Sequence, residues 1–407
     1  MRYRKEARAV RYRTSRRLFL AGMLLAIVGV AAYIAIITQT AGGRGRVLDF
    51  TLATLGGQIR GTLTVERLSG NIFTGARAYG VVIRERDGTL FLRADSVYAH
   101  YRLPSLLATQ LAIKDLVLYD AAVEIYRLPT DSLWNYQRLF SDTSSGPQGP
   151  PERTISIGRL TLADVDVRVR LPWEPEDSVP GRAQTREIRE ALADTSQLVV
   201  ARVPGGYLRT VLLEDLHARA TDAFFPLPVG RGSYLRIDRL AGSVYFYRRP
   251  IPVRAARGEI AIRDSLIEVQ APEVWLPRSR LALEGVVTLS AGENRFDFDI
   301  RSDTAVLADF AWLYPPFGRS GSGSFRVGVE TRPGGGNLFA FSELRLALPG
   351  TRVWGSLGVT TGDTVRFVNA DLHADPLDVD VMETLLPEDL PVHTLRVGSA
   401  AAGGSGT

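Results

Sequence analysis

The chain has 407 residues, no cysteine and a formal net charge of +5. Residues 1–17 carry eight Arg or Lys and one acidic residue, whereas the other 390 residues carry 41 basic and 43 acidic side chains. The body therefore lacks the basic excess of nucleic-acid-binding proteins. The absence of cysteine excludes disulfides, a thiolate nucleophile and Cys-based metal sites.

A membrane anchor is predicted directly after the basic segment. Residues 18–37 are twenty consecutive positions without a charge, and as a helix they cover about 30 Å, the hydrocarbon thickness of a bilayer. The run is longer than the apolar part of a signal peptide and no small-x-small cleavage site follows, so we expect a retained helix rather than a cleaved signal. The basic flank predicts a cytoplasmic N-terminus and a body across the membrane. The anchor residues are Leu18, Phe19, Leu20, Leu24, Leu25, Ile27, Val28, Val30, Ile34, Ile36 and Ile37.

The body that follows has the alternation of apolar and polar residues that is typical of β-strands. Val82–Arg86 and Thr89–Leu92 flank Asp87-Gly88, which is the pattern of a two-residue hairpin. Strict alternation predicts a sheet with one apolar and one polar side. It is clearest in three segments: Asp164–Arg170, Arg295–Arg301 and Leu344–Leu348.

An internal repeat of 44 residues lies in the first half of the body. Its apolar positions are Leu111, Ile113, Leu116, Leu118, Val123 and Ile125 in the first copy, and Ile155, Ile157, Leu160, Leu162, Val167 and Val169 in the second. A polar position also recurs, since Asp120 matches Asp164. Such self-similarity predicts an array of stacked supersecondary units. Residues 144–151, between the copies, are predicted to be a loop.

Short helices are predicted at four places: Leu103–Leu107, Thr185–Ala193 with Ile188 and Leu192 on one side, Thr304–Tyr314, and the segment that Asp375-Pro376 opens. The last two are related by a 72-residue repeat in which Phe310 matches Met382. A further strand begins at Leu395 and ends in the small residues 399–407. We therefore expect the array to be cut short there.

Catalytic signatures are absent from the sequence. His100, His217, His373 and His393 are scattered without HExxH or another paired-ligand spacing, and there is neither a GxSxG elbow nor a Walker A loop. A tethered hydrolase would lack a nucleophile constellation. The sequence predicts a protein that is not an enzyme, with no catalytic residue, no metal and no cofactor.

The layout resembles the AsmA-like family and, within it, the N-terminal part of the TamB-like proteins. The resemblance covers most of residues 18–398. It rests on the anchor, the Asp87-Gly88 hairpin and four further segments: Gly61–Leu63, Leu68–Gly75, Leu111–Ile125 and the repeated Leu313–Pro315. It implies an anchor in the inner membrane of a diderm bacterium and a long antiparallel sheet, curled into a groove, in the periplasm. It also implies phospholipid transfer toward the outer membrane, or protein assembly there, with an outer-membrane barrel protein as a possible partner.

The expected fold is therefore mostly β: an N-terminal transmembrane helix, then a long repetitive antiparallel β-sheet curled into a groove, with a few short helices. Its parts are a basic cytoplasmic tail (1–17), the transmembrane helix (18–37), a linker (38–57), the periplasmic β-groove (58–398) and a Gly/Ser/Ala tail (399–407). The partners are the inner membrane and phospholipid acyl chains, and no nucleic acid.

The residues expected to face lipid in the groove are Leu111, Ile113, Leu116, Leu118, Val123, Ile125, Ile155, Ile157, Val165, Val167, Val169, Phe296, Phe298, Ile300, Leu344 and Leu346. Apolar side chains there would replace water around acyl chains. The same alternation is also typical of half a β-sandwich core. A membrane-tethered sandwich that binds a protein partner without lipid is therefore the alternative.

Overall fold

A computed structural model of the chain describes residues 60–71, 75–101, 110–131, 133–140, 153–175, 181–193, 199–227, 232–245, 250–263, 266–289, 294–311, 321–331, 337–360 and 366–376. The predicted membrane helix, the linker, the turn at 103–107, the loop at 144–151 and the predicted elements after 376 lie outside these residues. Among the described helices, none has the length and apolar character needed to cross a membrane.

Strands dominate the described residues, and all seventeen of them belong to one sheet. They are β1 (Gly61–Thr64), β2 (Arg67–Asn71), β3 (Gly75–Glu85), β4 (Leu90–Tyr101), β5 (Gln110–Tyr126), β6 (Arg153–Trp173), β7 (Val199–Val203), β8 (Gly206–Leu227), β9 (Ser233–Tyr245), β10 (Ile251–Arg263), β11 (Leu266–Trp275), β12 (Arg280–Leu289), β13 (Asn294–Val306), β14 (Ser322–Thr331), β15 (Asn337–Leu348), β16 (Thr351–Thr360) and β17 (Arg366–Asp375). Helices α1 (Asn135–Phe140) and α2 (Arg182–Ala193) and the 3-10 turn Leu307–Phe310 complete the described elements. The prediction of a mostly β fold with a few short helices is confirmed.

The strands follow one another across the sheet almost in chain order. β1 and β2 lie one after the other along one edge of β3. The order then continues through β4, β5, β6, β8 and β9 to β17. β7 pairs with the first residues of β8, on the side away from β6. Each new strand thus extends the same sheet by one position.

β5 and β6 run parallel, which corrects the expectation of a wholly antiparallel sheet. Their register equals the internal repeat, because Leu111 lies opposite Ile155 and Ile125 lies opposite Val169. A parallel pair needs a crossover of a dozen or more residues, and residues 127–152 supply it. The two copies of the repeat are therefore neighbouring strands, side by side in the same direction.

Two ion pairs between β5 and β6 follow the same 44-residue offset. Arg159 donates to Asp115 at 3.0 Å, and Arg168 donates to Glu124 at 2.6 Å. Both pairs are partly exposed, so each contributes little to the free energy of unfolding. Because both pairs join residues 44 positions apart, they agree with the register and add little to the stability.

The period-two alternation is interrupted at the same level in neighbouring strands. Apolar positions step by three residues instead of two from Ala78 to Val81 in β3, from Ala94 to Val97 in β4, from Leu118 to Ala121 in β5 and from Leu162 to Val165 in β6. Left-handed residues lie in three of these steps, namely Gly80 (φ 58°), Asp120 (φ 44°) and Asp164 (φ 56°). Glycine and aspartate are among the residues that best tolerate this conformation. Since the steps coincide, apolar side chains of adjacent strands stay on one side of the sheet.

The residues beside these steps form a line that we call the buried row. It consists of Val81, Ala94, Ala121, Val165 and Leu216, each directly opposite the next and each 1–6% exposed. Larger side chains pack against it from both directions along a strand, as Leu118 and Val123 do in β5. The main core of the described residues is therefore a line across one side of a single sheet.

A hairpin is confirmed at Asp87-Gly88, but its loop is longer than the predicted two residues, because the Glu85 N–H donates to the Thr89 carbonyl at 2.8 Å and Arg86 also lies in the loop. The Gly88 N–H donates to the Glu85 carbonyl at 3.0 Å, and the Asp87 carboxylate accepts from the Thr89 N–H at 2.9 Å. Gly88 has φ 85°, a left-handed conformation that glycine adopts without steric cost.

The helix predicted for Thr304–Tyr314 is wrong in its first part. β13 continues to Val306, and in the described part of this segment, which ends at residue 311, Leu307–Phe310 form a single 3-10 turn. β13 also shifts register between Ser302 and Ala305. A three-residue step of this kind imitates the i, i+3 spacing of a helix, which explains the error.

The helix predicted for Thr185–Ala193 is confirmed as α2. Its buried residue is Ala191, whereas Leu192 is 38% exposed. Leu192, which was expected beside Ile188 on the apolar side, thus contributes little to packing.

A truncation in the buried row should destabilise the sheet. Leu216→Ala removes a side chain that is 4% exposed, so we expect the free energy of unfolding to fall by about 2–4 kcal/mol. The control Leu192→Ala, at an exposed leucine of α2, should change it by less than about 0.5 kcal/mol. Urea unfolding measures the free energy of unfolding of both variants. If both substitutions lowered it equally, the buried row would not be the main core.

Two strand glycines should respond differently to a methyl group. A Cβ at Gly285 would overlap the Asp297 carbonyl oxygen and Cδ1 of Phe298, whereas a Cβ at Gly328 would have no atom within 4 Å. We expect Gly285→Ala to lower the free energy of unfolding by about 1–3 kcal/mol through overpacking. Gly328→Ala should be neutral or stabilising, because alanine restricts the unfolded chain. The urea midpoints of the two variants give their relative stabilities. If Gly285→Ala were as stable as the parent, the close approach of Asp297 and Phe298 to Gly285 would be contradicted.

Candidate functional site

One side of the sheet carries apolar side chains from β3 to β17, and we call it the apolar face. Residues directly opposite each other in a ladder point to the same side, so rows of partners trace the face. One row crosses β3 to β12 through Ala78, Val97, Leu118, Leu162, Ala218, Leu240, Ala256, Val274 and Leu281. Another crosses β11 to β16 through Val269, Gly285, Phe298, Val329, Phe339 and Val359. The rows overlap, so the face is continuous.

The sequence-predicted groove residues with described side chains belong to the apolar face. Those with described side chains are Ile113, Leu116, Leu118, Val123, Ile125, Ile155, Ile157, Val165, Val167, Val169, Phe296, Phe298, Ile300, Leu344 and Leu346. Leu111 pairs in the same ladder, but its side chain lies outside the described residues. The ladders place the residues with described side chains on one side of their strands. That they form a lipid-facing groove stays a prediction.

Most side chains on the apolar face are part-buried, and Phe296 is 36% exposed. In a β-sandwich the inner sides of two sheets interdigitate and bury each other. All described strands instead belong to one sheet, and the buried clusters draw their members from neighbouring elements of that sheet. Among the described residues, no second sheet covers the apolar face.

The opposite side of the sheet, which we call the polar face, carries ion pairs between neighbouring strands. Besides the β5–β6 pairs they include Arg236–Glu259 (3.1 Å), Arg280–Glu273 (3.2 Å), Arg257–Glu273 (3.7 Å) and Arg326–Asp299. The hydrogen bonds and charge of Asp299 raise the pKa of Arg326. The two sides of the sheet thus differ sharply: one is apolar over its central rows and the other is charged.

The apolar face ends in charged residues near α1. Arg127 lies two residues beyond Ile125, and Arg209 lies two residues beyond Val211. Arg127 and Glu85 are only 7% and 8% exposed. Buried charges are costly unless they are paired, so this strand end is a poor place for hydrocarbon. It marks one lateral limit of the apolar face.

Helix α1 packs over this strand end. Asn135 is fully buried, and its side-chain amide accepts from the Tyr126 N–H at 3.0 Å and donates to the Glu124 carbonyl at 2.8 Å. Arg138 donates to Glu85 at 3.3 Å. These bonds connect the crossover between β5 and β6 to the end of β3.

Two groups of residues on the apolar face were missed by sequence analysis. The first is the alanines of the buried row, Ala94 and Ala121, which are small and carry no strong strand signal. The second is Phe339 and Phe341 in β15. The signal for the two alanines was the three-residue step, in which each alanine lies next to an aspartate. The two phenylalanines could have been found by extending the Leu344–Leu348 alternation backwards across Glu343, a left-handed residue.

Three of the four histidines lie in described strands, each close to an aspartate. His217 contacts Asp164 at 3.0 Å and His100 contacts Asp115 at 3.2 Å. Within the described part of the chain, no group of three or more His, Asp or Glu side chains is arranged to hold a metal ion. The His100 and His217 pairs are ordinary cross-strand contacts, and His373 contacts Asp371 of its own strand, β17, at 3.5 Å.

Tyr126 provides a test of the packing beneath α1. Burial, followed by a hydrogen bond to the Glu85 carboxylate, raises the pKa of Tyr126 from its ordinary value of 10.0 to about 12. The folded protein therefore favours the neutral phenol. The contribution of this shift to stability is complete below a pH of about 10 and is lost as the pH rises to about 12.

We expect the difference in the free energy of unfolding between the parent and Tyr126→Phe to stay constant from about pH 7 to 9. It should then move in favour of the variant between about pH 10 and 12, because phenylalanine has no proton to lose. Urea unfolding at each pH gives the difference. A difference that does not change with pH would contradict the buried position of the hydroxyl.

Comparisons with protein-family models, with curated proteins and with solved structures found no significant match to this chain. The sheet with its one continuous apolar face is therefore the observation from which function is argued.

Proposed function

We propose that this chain is an AsmA-like protein, closest to the N-terminal part of the TamB-like proteins, whose sheet curls into a groove for phospholipid acyl chains. In this proposal the apolar run at 18–37 anchors it in the inner membrane. The body lies in the periplasm and passes lipid toward the outer membrane. The observation that carries the proposal is the continuous, part-exposed apolar face of a single sheet.

The curl is supported by the alignment of the three-residue steps. In a β-bulge an extra residue bends the strand and increases its twist, and we expect the same of these steps, which neighbouring strands share without a shift in their pairing. When neighbouring strands bend at one level, the sheet as a whole bends along that line. The burial of Ala94 and Ala121 beneath larger neighbours fits a line at the bottom of a concave surface, because on a flat surface such small side chains remain in contact with solvent.

An acyl chain suits the apolar face better than a polypeptide does. Every backbone N–H and C=O that leaves water needs a hydrogen-bond partner. Over the central rows the apolar face offers alkyl and phenyl side chains, which supply none. A hydrocarbon chain has no such groups and gains from each Å² of apolar surface removed from water.

The dimensions of the sheet suit a path away from a bilayer. Its seventeen strands occupy fifteen successive positions, because β1 and β2 share one position and β7 lies along the same edge of β8 as β9 does. At about 4.8 Å per strand the described sheet extends for roughly 65–70 Å. The predicted anchor precedes β1, so the path starts beside the membrane that supplies the lipid.

The sandwich alternative loses its support in the described part of the chain. A sandwich requires a second sheet packed face to face on the first at about 10 Å. All described strands belong to one sheet. A scaffold that binds protein on its polar face alone would also leave the continuous apolar face without a role.

Photo-crosslinking tests the proposal on the full chain in its membrane. A benzophenone amino acid at Val167, on the apolar face, should capture phospholipid. The matched control at the neighbouring Arg168, on the polar face, should not. The pair Phe298 and Asp297 repeats the comparison in the other half of the sheet. Lipid captured equally from both sides, or only from the polar face, would refute the proposal.

A further inference from the structure

The apolar face changes its chemistry along its length. From β3 to β12 its central positions hold alanine, valine, leucine and isoleucine, and we call this part the aliphatic section. The described aromatic residues on that part of the face lie toward strand ends: Tyr101, Trp173, Tyr207 and Phe225. From β13 to β15 the face instead carries Phe296, Phe298, Phe325, Phe339 and Phe341, which we call the phenylalanine section.

The rings of the phenylalanine section contact one another and the sheet. Phe325 meets Phe341 edge to face at a centroid distance of 6.0 Å, and it meets Phe310 in the same way at 5.6 Å. Phe298 lies against Gly285 of β12, where even a methyl group would overlap it. These contacts hold the rings of Phe298, Phe325 and Phe341, which remain part-exposed, and Phe296 in the same section is exposed, so the section presents an aromatic surface.

We infer that the phenylalanine section is the preferred resting site of a phospholipid acyl chain on the apolar face, an inference that rests on the proposed function. A phenylalanine offers far more apolar area than an alanine or valine, and it has only two χ angles to fix. Because burial of apolar area drives the contact, an acyl chain is held more tightly over β13–β15 than over the aliphatic section.

The residues around the phenylalanine section favour a hydrocarbon ligand over a polypeptide. The direct cross-strand partners of Phe296, Phe298 and Phe339 include Val287, Val329 and Val359, which cannot form hydrogen bonds. A polypeptide laid on this surface would leave its backbone N–H and C=O groups without partners. An acyl chain meets no such cost.

The phenylalanine section lies far along the sheet from β1, which matters for lipid transfer. β13 is the eleventh of the fifteen strand positions counted from β1. At about 4.8 Å per strand it lies roughly 50 Å from the edge nearest the predicted anchor. The aliphatic section is then a path of weaker contacts that leads from the bilayer to a site of stronger ones.

The test compares two crosslinker positions in the full chain, reconstituted in vesicles of phosphatidylcholine and phosphatidylglycerol. One is Val329, which lies directly opposite both Phe298 and Phe339. The other is Val167 in the aliphatic section. The variant Phe298→Leu/Phe339→Leu removes the rings but keeps the face apolar, and Leu116→Val/Leu160→Val is the matched reduction in the aliphatic section.

We expect the lipid yield from position 329 to exceed that from position 167 several-fold. The double phenylalanine variant should lower the yield at 329 to that at 167 and leave 167 unchanged, whereas the leucine control should leave 329 unchanged. Urea midpoints of both variants identify any loss of folding.

Equal yields at the two positions, or a yield at 329 that survives loss of the rings in a folded variant, would refute the resting site and leave the proposed function standing. Capture of lipid at neither position would refute both. Capture of polypeptide instead of lipid at 329 would assign the section to a protein client and overturn the inference.

Discussion

The structure depends on one constraint: residues that pair across neighbouring strands must point to the same side of the sheet. Side chains alternate with a period of two, so one extra residue in a strand sends every later side chain to the other side. β3 to β6 all insert such a residue, and they do so at one level, beside the buried row. A step in one strand alone would bring charged residues into the apolar face. Because the steps coincide, the apolar face stays continuous.

The parallel pair of β5 and β6 follows from the same constraint. If a strand repeats the sequence pattern of its neighbour, the apolar positions of the two copies lie opposite each other along the whole strand when both run in the same direction. In the parallel register the apolar positions of one copy lie opposite their counterparts, from Leu111 and Ile155 to Ile125 and Val169, and the steps at Asp120 and Asp164 lie at one level. The crossover through residues 127–152 and the bonds of α1 to the ends of β3 and β5 are the structural requirements of that arrangement.

The strands and their apolar sides were largely predictable because alternation is a local signal. The Asp87-Gly88 hairpin and the segment around Val167 were assigned from a few adjacent residues. The parallel direction of β6 was missed because a repeat fixes which residues correspond but not how the two copies run. The false helix at Thr304–Val306 arose because a three-residue step has the spacing of one helical turn. The phenylalanine section, too, emerges only when β13, β14 and β15 are placed side by side, since each contributes two rings at most.

A one-layer sheet of this length poses a solvation problem that the two faces solve differently. The polar face meets water through cross-strand ion pairs, which add little stability but keep that side soluble. A second sheet on the apolar face would cover it, whereas among the described residues its most buried positions include the small residues Ala94 and Ala121, with larger side chains packed against them. The rest of the apolar face stays part-exposed, and covering it with hydrocarbon would release the water that contacts it. In the proposed function, the exposed part of the apolar face would be stabilised by the acyl chain that covers it, and the continuity of the face depends on the register that neighbouring strands share.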